Sequence, residues 1–185
     1  RKVESERKYW RDKIDRDCGS VQYAYTNTGL AIPLVYKLVT SCWLANDSLA
    51  DAALCNDGGL RQDLQPGKIT KISIIDVMPF SNSLYRVKLT GEQLINYLPG
   101  NFFTGLRAEG DGYILTKTGK PIDPKATYNV LVNNYMYETS EMMKNADPSP
   151  VQIALDWRQP MYDWLLAHPT TKDKPLEGII KSLPE

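Results

Sequence analysis

The stretch LADAALCNDGGLRQDLQPGKIT, residues 49–70, runs from small apolar residues through a glycine pair to a Pro-Gly turn. Its apolar part either continues a helix or forms a short buried strand over residues 52–55. The glycine pair fits a turn that needs a positive φ angle, or a loop built to approach a ligand closely. In the second case Asn56 and Arg61 face the ligand, and the guanidinium offers a planar fork of donors to phosphate or ribose oxygens.

The segments after this stretch predict alternating strands and helices. KISIIDVMPF at 71–80 alternates and carries β-branched residues, which favours a strand, and SLYRVKLT at 83–90 is a clearer one. Thr90 and Gln93 form a capping box that begins a helix in TGEQLINYL. TYNVLVNNYMY at 127–137 predicts a strand that ends at its two asparagines, and residues 140–152 are typical of a polar loop. PMYDWLLAHP at 160–169 predicts a short helix bounded by prolines.

The segments before this stretch complete the predicted fold. Residues 1–19 contain alternating charges and few apolar positions, which indicates an amphipathic linker helix. A strand is expected within residues 19–26, and a buried helix begins around Pro33. We therefore expect one mixed α/β (α+β) domain over residues 20–185, with mixed sheets covered by helices.

Composition excludes several classes of function. The 185 residues carry 22 basic and 22 acidic side chains, which removes the broad electrostatic reason to expect nucleic acid as a partner. No apolar run approaches the roughly 20 residues that a membrane-spanning helix needs. With 42% hydrophobic residues, the chain can build a substantial core.

The residues that bind metals are scarce. The only histidine, His168, falls near the end of a predicted helix, where interaction with the helix dipole is the simpler interpretation. A two-metal hydrolase site needs several His and Asp ligands, so we expect no metal site and no catalytic residue in this chain. Cys18, Cys42 and Cys55 match no zinc spacing and are expected to be buried as small hydrophobes, although an exported protein allows one disulfide.

Two aromatic residues stand where strands are expected to end. Phe80 follows Pro79 in a turn between two predicted strands, and Tyr135 follows Asn133 and Asn134. Each ring fits either the core or an exposed position that stacks on a planar base. The sequence does not say whether the two rings face each other.

The order of several motifs resembles the C-terminal domain of the 5′-nucleotidase family, which includes UDP-sugar hydrolases and 2′,3′-cyclic-nucleotide phosphodiesterases. The resemblance covers roughly residues 20–168. Its motifs are an Asn-x-Gly-Gly-aliphatic-Arg loop, a Pro-Phe-x-Asn turn and an aliphatic-Thr-Gly-x-x-Leu helix start. The first motif lies within residues 49–70, and the other two lie within the segment VMPFSNSLYRVKLTGEQLINYL. Three further segments of the resemblance follow along the chain: FFTGLR, GKPIDPKATYNVLVNNYM and PMYDWLL.

The resemblance implies a role for each candidate residue. In that family an N-terminal metallophosphoesterase domain holds a divalent metal pair and hydrolyses the phosphoester, while the C-terminal domain binds the nucleoside. Asn56 and Arg61 are then expected to contact substrate, and Phe80 and Tyr135 to sandwich the base. Gly105 matches a glycine that lines the pocket. The resemblance also implies an extracytoplasmic location, periplasmic or at the cell surface.

The sequence departs from the family pattern in two places. The family carries an arginine and a glutamate before the first helix, where this chain reads QYAYTNTGLAIP. After the second aromatic the family has a Gly-Gly-Asp-Gly run, where this chain reads ETSEMM and offers Glu141 as the nearest counterpart. Without those glycines the loop backbone is expected to differ.

Two functions follow. The first is the nucleotide-recognition domain of a 5′-nucleotidase-type hydrolase, inactive on its own and paired with a metallophosphoesterase domain or separate chain. The alternative is a stand-alone, non-catalytic, extracytoplasmic module that binds a small ligand in a degenerate nucleotide pocket. An unrelated enzyme that uses Asp57 and Asp63 is a weaker alternative, because nothing in the sequence positions those carboxylates together.

Overall fold

The computed structural model of the chain describes residues 21–181 and 183, so the predicted linker helix at 1–19 lies outside the described residues. The strands are β1 (Ala24–Thr26), β2 (Ala52–Asn56), β3 (Gly67–Ile69), β4 (Leu84–Thr90), β5 (Asn101–Thr104), β6 (Leu106–Glu109), β7 (Gly112–Leu115), β8 (Lys120–Pro121), β9 (Thr127–Asn133) and β10 (Val151–Ala154). A mixed five-stranded sheet with the order β10-β4-β9-β2-β5 lies at the centre. The orders β1-β3 and β6-β7-β8 describe two smaller sheets.

Helices and the β6-β7-β8 sheet cover the central sheet on its two faces. The helices are α1 (Ile32–Asn46), α2 (Lys71–Val77), α3 (Gly91–Asn96), α4 (Asn134–Thr139), α5 (Glu141–Ala146), α6 (Gln159–Ala167) and α7 (Leu176–Ile180). One core cluster joins α1, α6 and α7 to the sheet, and a second joins α3, α4, α5 and the small sheet to its other face. The fold is the expected mixed α/β domain with mixed sheets covered by helices.

Strand β2 is buried on both faces, which explains its continuous run of small apolar residues. Ala53 and Cys55 belong to one core cluster, while Ala52 and Leu54 belong to the other. This confirms the strand alternative for residues 52–55, because strands buried on both sides lose the apolar-polar alternation.

Three chain segments meet at one edge of the central sheet. Strands β2 and β9 are parallel, so their carboxyl ends, at Asn56 and Asn133, lie side by side. Strand β4 is antiparallel to β9 with Leu84 opposite Asn133, so β4 begins at this same edge. The loop after β2, the turn before β4 and the start of α4 therefore converge.

The strand predicted at residues 71–80 is wrong, because residues 71–77 form α2. The Thr70 side chain accepts a hydrogen bond from the Ser73 N–H, and the Ser73 side chain accepts one from the Thr70 N–H, which completes a capping box. Ile74 and Val77 are buried three residues apart, as on one helical face. Capping and burial here override the β-propensity of the isoleucines.

The polar loop predicted at residues 140–152 is also wrong. Ser140 caps helix α5 by accepting from the Met143 N–H, and Met143 is fully buried in the second core cluster. Strand β10 follows and pairs antiparallel with β4. Met143, with Met142 and Ala146 packed against the same cluster, thus anchors a segment that is rich in polar residues.

The cysteines that the structure describes behave as small hydrophobes. Cys42 and Cys55 are buried and unbridged, which confirms the prediction for these two, while Cys18 lies outside the described residues. Burial raises the pKa of both thiols. Both therefore stay protonated near neutral pH, and Cys55 supplies no thiolate to the neighbouring loop.

Glu177 attaches the C-terminal helix α7 to the turn after β1. Its Oε1 accepts hydrogen bonds from Thr26 Oγ1 at 2.6 Å, from the Thr28 N–H at 2.7 Å and from Thr28 Oγ1 at 2.9 Å. Loss of solvation raises the pKa of Glu177, but these hydrogen bonds outweigh that effect and lower it to about 2.

Candidate functional site

A cavity of about 320 Å³ opens at the edge where the three segments converge. Residues 56–59 and Arg61 of the loop after β2 line it, together with Phe80 and Asn82 of the turn before β4, and Tyr135 of α4. Four of the residues singled out from the sequence, Asn56, Arg61, Phe80 and Tyr135, therefore share one cavity.

The loop after β2 is held from below by Tyr36 of α1. The Tyr36 hydroxyl accepts a hydrogen bond from the Leu60 N–H at 3.0 Å and donates one to the Asn56 carbonyl at 3.2 Å. Its ring stacks on Phe102, with centroids 3.8 Å apart. Burial raises the pKa of Tyr36, so the hydroxyl keeps the proton that it donates. The loop is therefore fixed to the helix beneath it.

Both glycines of this loop are required by its geometry. Gly58 adopts a φ of 81°, a conformation that other residues rarely take. A Cβ on Gly59 would lie 3.0 Å from the Asn56 carbonyl oxygen and 3.1 Å from Cys55 Sγ, so a side chain there would force its neighbours to shift. The turn interpretation is right for Gly58, and the tight packing around Gly59 keeps Asn56 at the cavity.

The Asn56 side chain is oriented by Asn133, a buried residue at the end of β9. Asn133 Nδ2 donates to Asn56 Oδ1 at 2.8 Å. Asn133 Oδ1 accepts from the Met136 N–H at 2.9 Å and so caps helix α4. The asparagine pair links the two parallel strands at their carboxyl ends.

Arg61 lies between the glycine loop and Phe80. Its Nη1 donates to the Gly58 carbonyl at 3.2 Å, and its backbone N–H donates to the Val77 carbonyl at 2.9 Å. The guanidinium carbon stands 6.0 Å from the centroid of the Phe80 ring. The remaining N–H groups can therefore serve a ligand that also contacts Phe80.

The Phe80 turn is held by two residues that precede α6. Trp157 donates from Nε1 to the Phe80 carbonyl at 3.1 Å and from its backbone N–H to the Asn82 carbonyl at 3.0 Å. Arg158 Nη1 donates to the Met78 carbonyl at 3.0 Å. These contacts fix the backbone of the turn, while Phe80 itself stays 44% exposed.

The structure places Tyr135 on helix α4 and not at the end of a strand. Strand β9 ends at Asn133, as expected, and the Asn133 cap then begins the helix. Asn134 exchanges hydrogen bonds with Ser83, from its N–H to the Ser83 carbonyl at 3.0 Å and from the Ser83 N–H to its Oδ1 at 3.1 Å. Tyr135 is 54% exposed, and neither Phe80 nor Tyr135 belongs to the core.

Gly105 and Glu141 lie outside this cavity. Gly105 stands beside the start of β2, where a Cβ would meet the Asp51 carbonyl oxygen at 2.6 Å, and its φ is 98°. It therefore serves the corner between β5 and β6, at the opposite end of β2 from Asn56. Glu141 is the first residue of α5, where its largely exposed side chain pairs with Lys144 at 2.6 Å.

Asp57 and Asn82 line the cavity, although sequence reasoning gave them no role in ligand binding. Asn82 belongs to the Pro-Phe-x-Asn turn, so that motif is the sequence signal for its position. Asp57 lies between Asn56 and the glycine pair, and it lines the cavity because the turn places it there. Trp157 and Arg158 were missed because they act on the turn from a distant part of the sequence.

Within residues 21–181 and 183, no three His, Cys, Asp or Glu side chains are grouped so that they could hold a metal ion. None of the helices described is long and apolar enough to cross a membrane. His168 is the C-cap of α6, at the helix C-terminus as expected, and its ring stacks on Trp164 with centroids 4.1 Å apart. The cavity is thus equipped to bind, through rings, amides and a guanidinium.

Comparison with known proteins identifies relatives of this domain. The chain is 31% identical to Protein UshA of Yersinia enterocolitica over an alignment of 137 residues, and the match covers 66% of this chain and 24% of that protein. It is 30% identical to a 5′-nucleotidase of Vibrio cholerae over 86 residues, 46% of this chain and 14% of that protein. The crystal structure of a 5′-nucleotidase precursor from Thermus thermophilus shares the fold, with a TM-score of 0.75 and 22% identity, and the match covers 94% of this chain and 42% of that one.

The chain spans about a quarter or less of the two relatives matched by sequence. A sequence model of the family described as 5′-nucleotidase, C-terminal domain, matches residues 14–145. Since this match covers more than two thirds of the chain, the protein belongs to the 5′-nucleotidase C-terminal domain family.

Proposed function

We propose that this domain recognises the nucleoside part of a nucleotide for a 5′-nucleotidase-type phosphoester hydrolase. The observation that supports the proposal most is the shared cavity, in which two exposed rings stand with an asparagine and an arginine. Rings with exposed faces can stack a base, and the polar groups can fix ribose or phosphate.

In this proposal each residue binds and none breaks a bond. Phe80 and Tyr135 hold the base, while Asn56 and Arg61 bond the polar part of the ligand and hold it in one orientation. The metal pair implied by the family does not fit the described residues, which offer no group of ligands. Hydrolysis is therefore assigned to a metallophosphoesterase domain, either on the same polypeptide or on a separate chain.

The second candidate is a stand-alone, extracytoplasmic binding module with a degenerate pocket. The position of Glu141 favours it, because this carboxylate pairs with Lys144 and does not line the cavity. A polar contact expected on the Tyr135 side of the ligand is then missing. The hydrolase would be favoured by a coding sequence with Asp-x-His and Gly-Asn-His-Glu motifs that is joined to this one or adjacent to it. A short reading frame without such a partner would favour the stand-alone binding module.

The test of ligand recognition is calorimetry against adenosine, AMP, uridine, UMP and UDP-glucose. We expect saturable heat for at least one nucleoside or nucleotide, with free ribose and inorganic phosphate as controls. Absence of heat for every nucleoside and nucleotide would contradict the recognition role. Binding of UDP-glucose alone would move the ligand class from nucleotides to sugar nucleotides.

A further inference from the structure

The hydrogen bond between Asn133 and Asn56 has a direction that the backbone determines. The Met136 N–H can only donate, and it lies 2.9 Å from the Asn133 amide, so the atom that faces it is Oδ1. The Nδ2 group of Asn133 therefore points the other way, toward Asn56. Because Nδ2 can only donate, the atom that it meets at 2.8 Å is Asn56 Oδ1.

This direction determines whether the oxygen or the nitrogen of the Asn56 amide faces the cavity. Oδ1 is occupied by Asn133 and packs against Gly59, where an added Cβ would lie 3.2 Å from it. Nδ2 carries two protons, and one of them is directed to the Asp57 carbonyl at 3.2 Å. The second proton remains for a ligand.

We propose that Asn133 is a positioning residue that sets the hydrogen-bond polarity of the cavity, so that Asn56 donates to an acceptor atom of the bound nucleoside. This inference rests on the proposed function. The acceptor is a ring nitrogen of the base or an oxygen of the ribose. Asn133 is fully buried and does not line the cavity, so it acts through Asn56.

The same residue also begins the helix that carries Tyr135. Its Oδ1 caps α4, and its Nδ2 orients the Asn56 amide. One side-chain amide therefore links the position of Tyr135 to the hydrogen-bond polarity of Asn56. Arg61 supplies further donors beside Asn56. The donors of Asn56 and Arg61 therefore favour ligands that present acceptor atoms to this part of the cavity.

The substitution that isolates this role is Asn133→Asp. A carboxylate preserves the helix cap, because Asp is as good an N-cap as Asn, but it replaces the donor with an acceptor. The Asn56 amide is then expected to turn over and to present its oxygen to the ligand. Asn129→Asp on the same strand is the matched control, because the Asn129 amide donates to the Leu49 carbonyl and does not line the cavity.

Binding is compared among adenosine, its 1-, 3- and 7-deaza analogues, and 2′- and 3′-deoxyadenosine. In the wild type, one analogue should bind roughly tenfold more weakly than adenosine, because it leaves a donor unpaired. A deaza analogue would identify a base nitrogen, and a deoxy analogue a ribose oxygen. In Asn133→Asp that difference should disappear, while Asn129→Asp should keep it.

A folded Asn133→Asp variant that keeps the wild-type discrimination would overturn the inference, as would a wild type that binds all analogues equally. If Asn133→Asp does not fold, Asn133→Ser keeps a cap and removes the long donor, and the same comparison applies. If the wild type binds no nucleoside, the proposed function fails, and the polarity is then read by NMR without ligand. A scalar coupling across the hydrogen bond from Asn133 Nδ2 to Asn56 Cγ supports it, and its absence or the reverse coupling refutes it.

Discussion

At the scale of single residues, the cavity depends on rings that are exposed although their backbone is fixed. The Phe80 turn accepts hydrogen bonds from Trp157 and Arg158, and the start of α4 is bonded to Ser83. The backbone that carries the two rings is therefore already in place when a ligand enters the cavity, and preorganisation of this kind improves affinity.

Replacing either ring should weaken binding of the ligand identified by calorimetry. Stacking of a base on an aromatic residue is worth about 1–3 kcal/mol by alanine substitution, so Phe80→Ala and Tyr135→Ala should each lose about 5- to 150-fold in affinity. Leu155→Ala is the control, because that side chain is 85% exposed and lies outside the cavity. Unchanged affinity in both ring variants would remove the rings from the binding site.

Tyr36 should matter for stability and binding alike, although it does not line the cavity. Tyr36→Phe leaves the buried Leu60 N–H without its acceptor, which should cost about 1–3 kcal/mol in the free energy of unfolding. The loosened loop should also bind ligand more weakly. Denaturant unfolding and calorimetry measure the two effects, with Tyr85→Phe on β4 as the control. A variant as stable as the wild type would show that the loop does not depend on this hydroxyl.

The sequence predicted which residues line the cavity better than it predicted which ones lie outside it. Asn56, Arg61, Phe80 and Tyr135 stand in motifs whose order is specific, and all four line one cavity. A glycine required for packing looks the same in a sequence as one that lines a pocket, which is why Gly105 could not be placed from its motif. The connection from Asn133 to Asn56 depends on strand register and is invisible in the sequence.

At the scale of elements, local chemistry predicted some segments and tertiary packing decided others. The helix at Thr90 follows from a capping box that the sequence displays, and the helix after Arg158 follows from its prolines. Helix α2 shows the limit of propensity, because its isoleucines favour a strand in isolation. The capping box at Thr70 and the burial of Ile74 and Val77 in the core together favour the helix.

The attachment of α7 should weaken in acid. The folded pKa of Glu177, about 2, lies below the usual 4.5, so its ionisation stabilises the folded chain above about pH 4.5. That contribution is lost as the pH falls from 4.5 toward 2. Glu177→Gln should therefore be less stable than the wild type at pH 7, and the difference should narrow by about pH 2.5.

Denaturant midpoints of the two proteins at each pH provide this measurement. Glu109→Gln is the control, because its carboxylate is exposed and makes only a 3.5 Å pair with Arg107. A difference between wild type and Glu177→Gln that stays constant from pH 7 to pH 2.5 would contradict the role assigned to the charge.

At the scale of the whole molecule, two core clusters lie on the two faces of the central sheet, and the cavity lies where its strands end. Strand β2 is buried on both faces, so its only route to a ligand is through its carboxyl end. The fold class was predictable because helices and strands alternate without a strict βαβ repeat. The sheet order was not, because neighbours such as β2 and β9 are far apart in the sequence.

The 185-residue chain alone should hydrolyse no AMP, with or without added divalent metal. The chain has a single histidine, and the part of it that the structure describes contains no group of ligands that could hold a metal pair. Release of phosphate from AMP is the measurement, with and without Mg²⁺, Mn²⁺ or Zn²⁺. Metal-dependent turnover that follows the purified protein through two different chromatographic steps would refute this expectation.

The hydrogen bonds from Trp157 and Arg158 to the Phe80 turn limit where this domain can be truncated. The family match ends at residue 145, before β10, Trp157 and Arg158 in the sequence. A fragment trimmed to that homology boundary would retain every wall of the cavity yet lose the bonds that keep one wall in place. Chimeras and expression boundaries drawn from alignment alone would therefore sever the domain inside its own supporting framework.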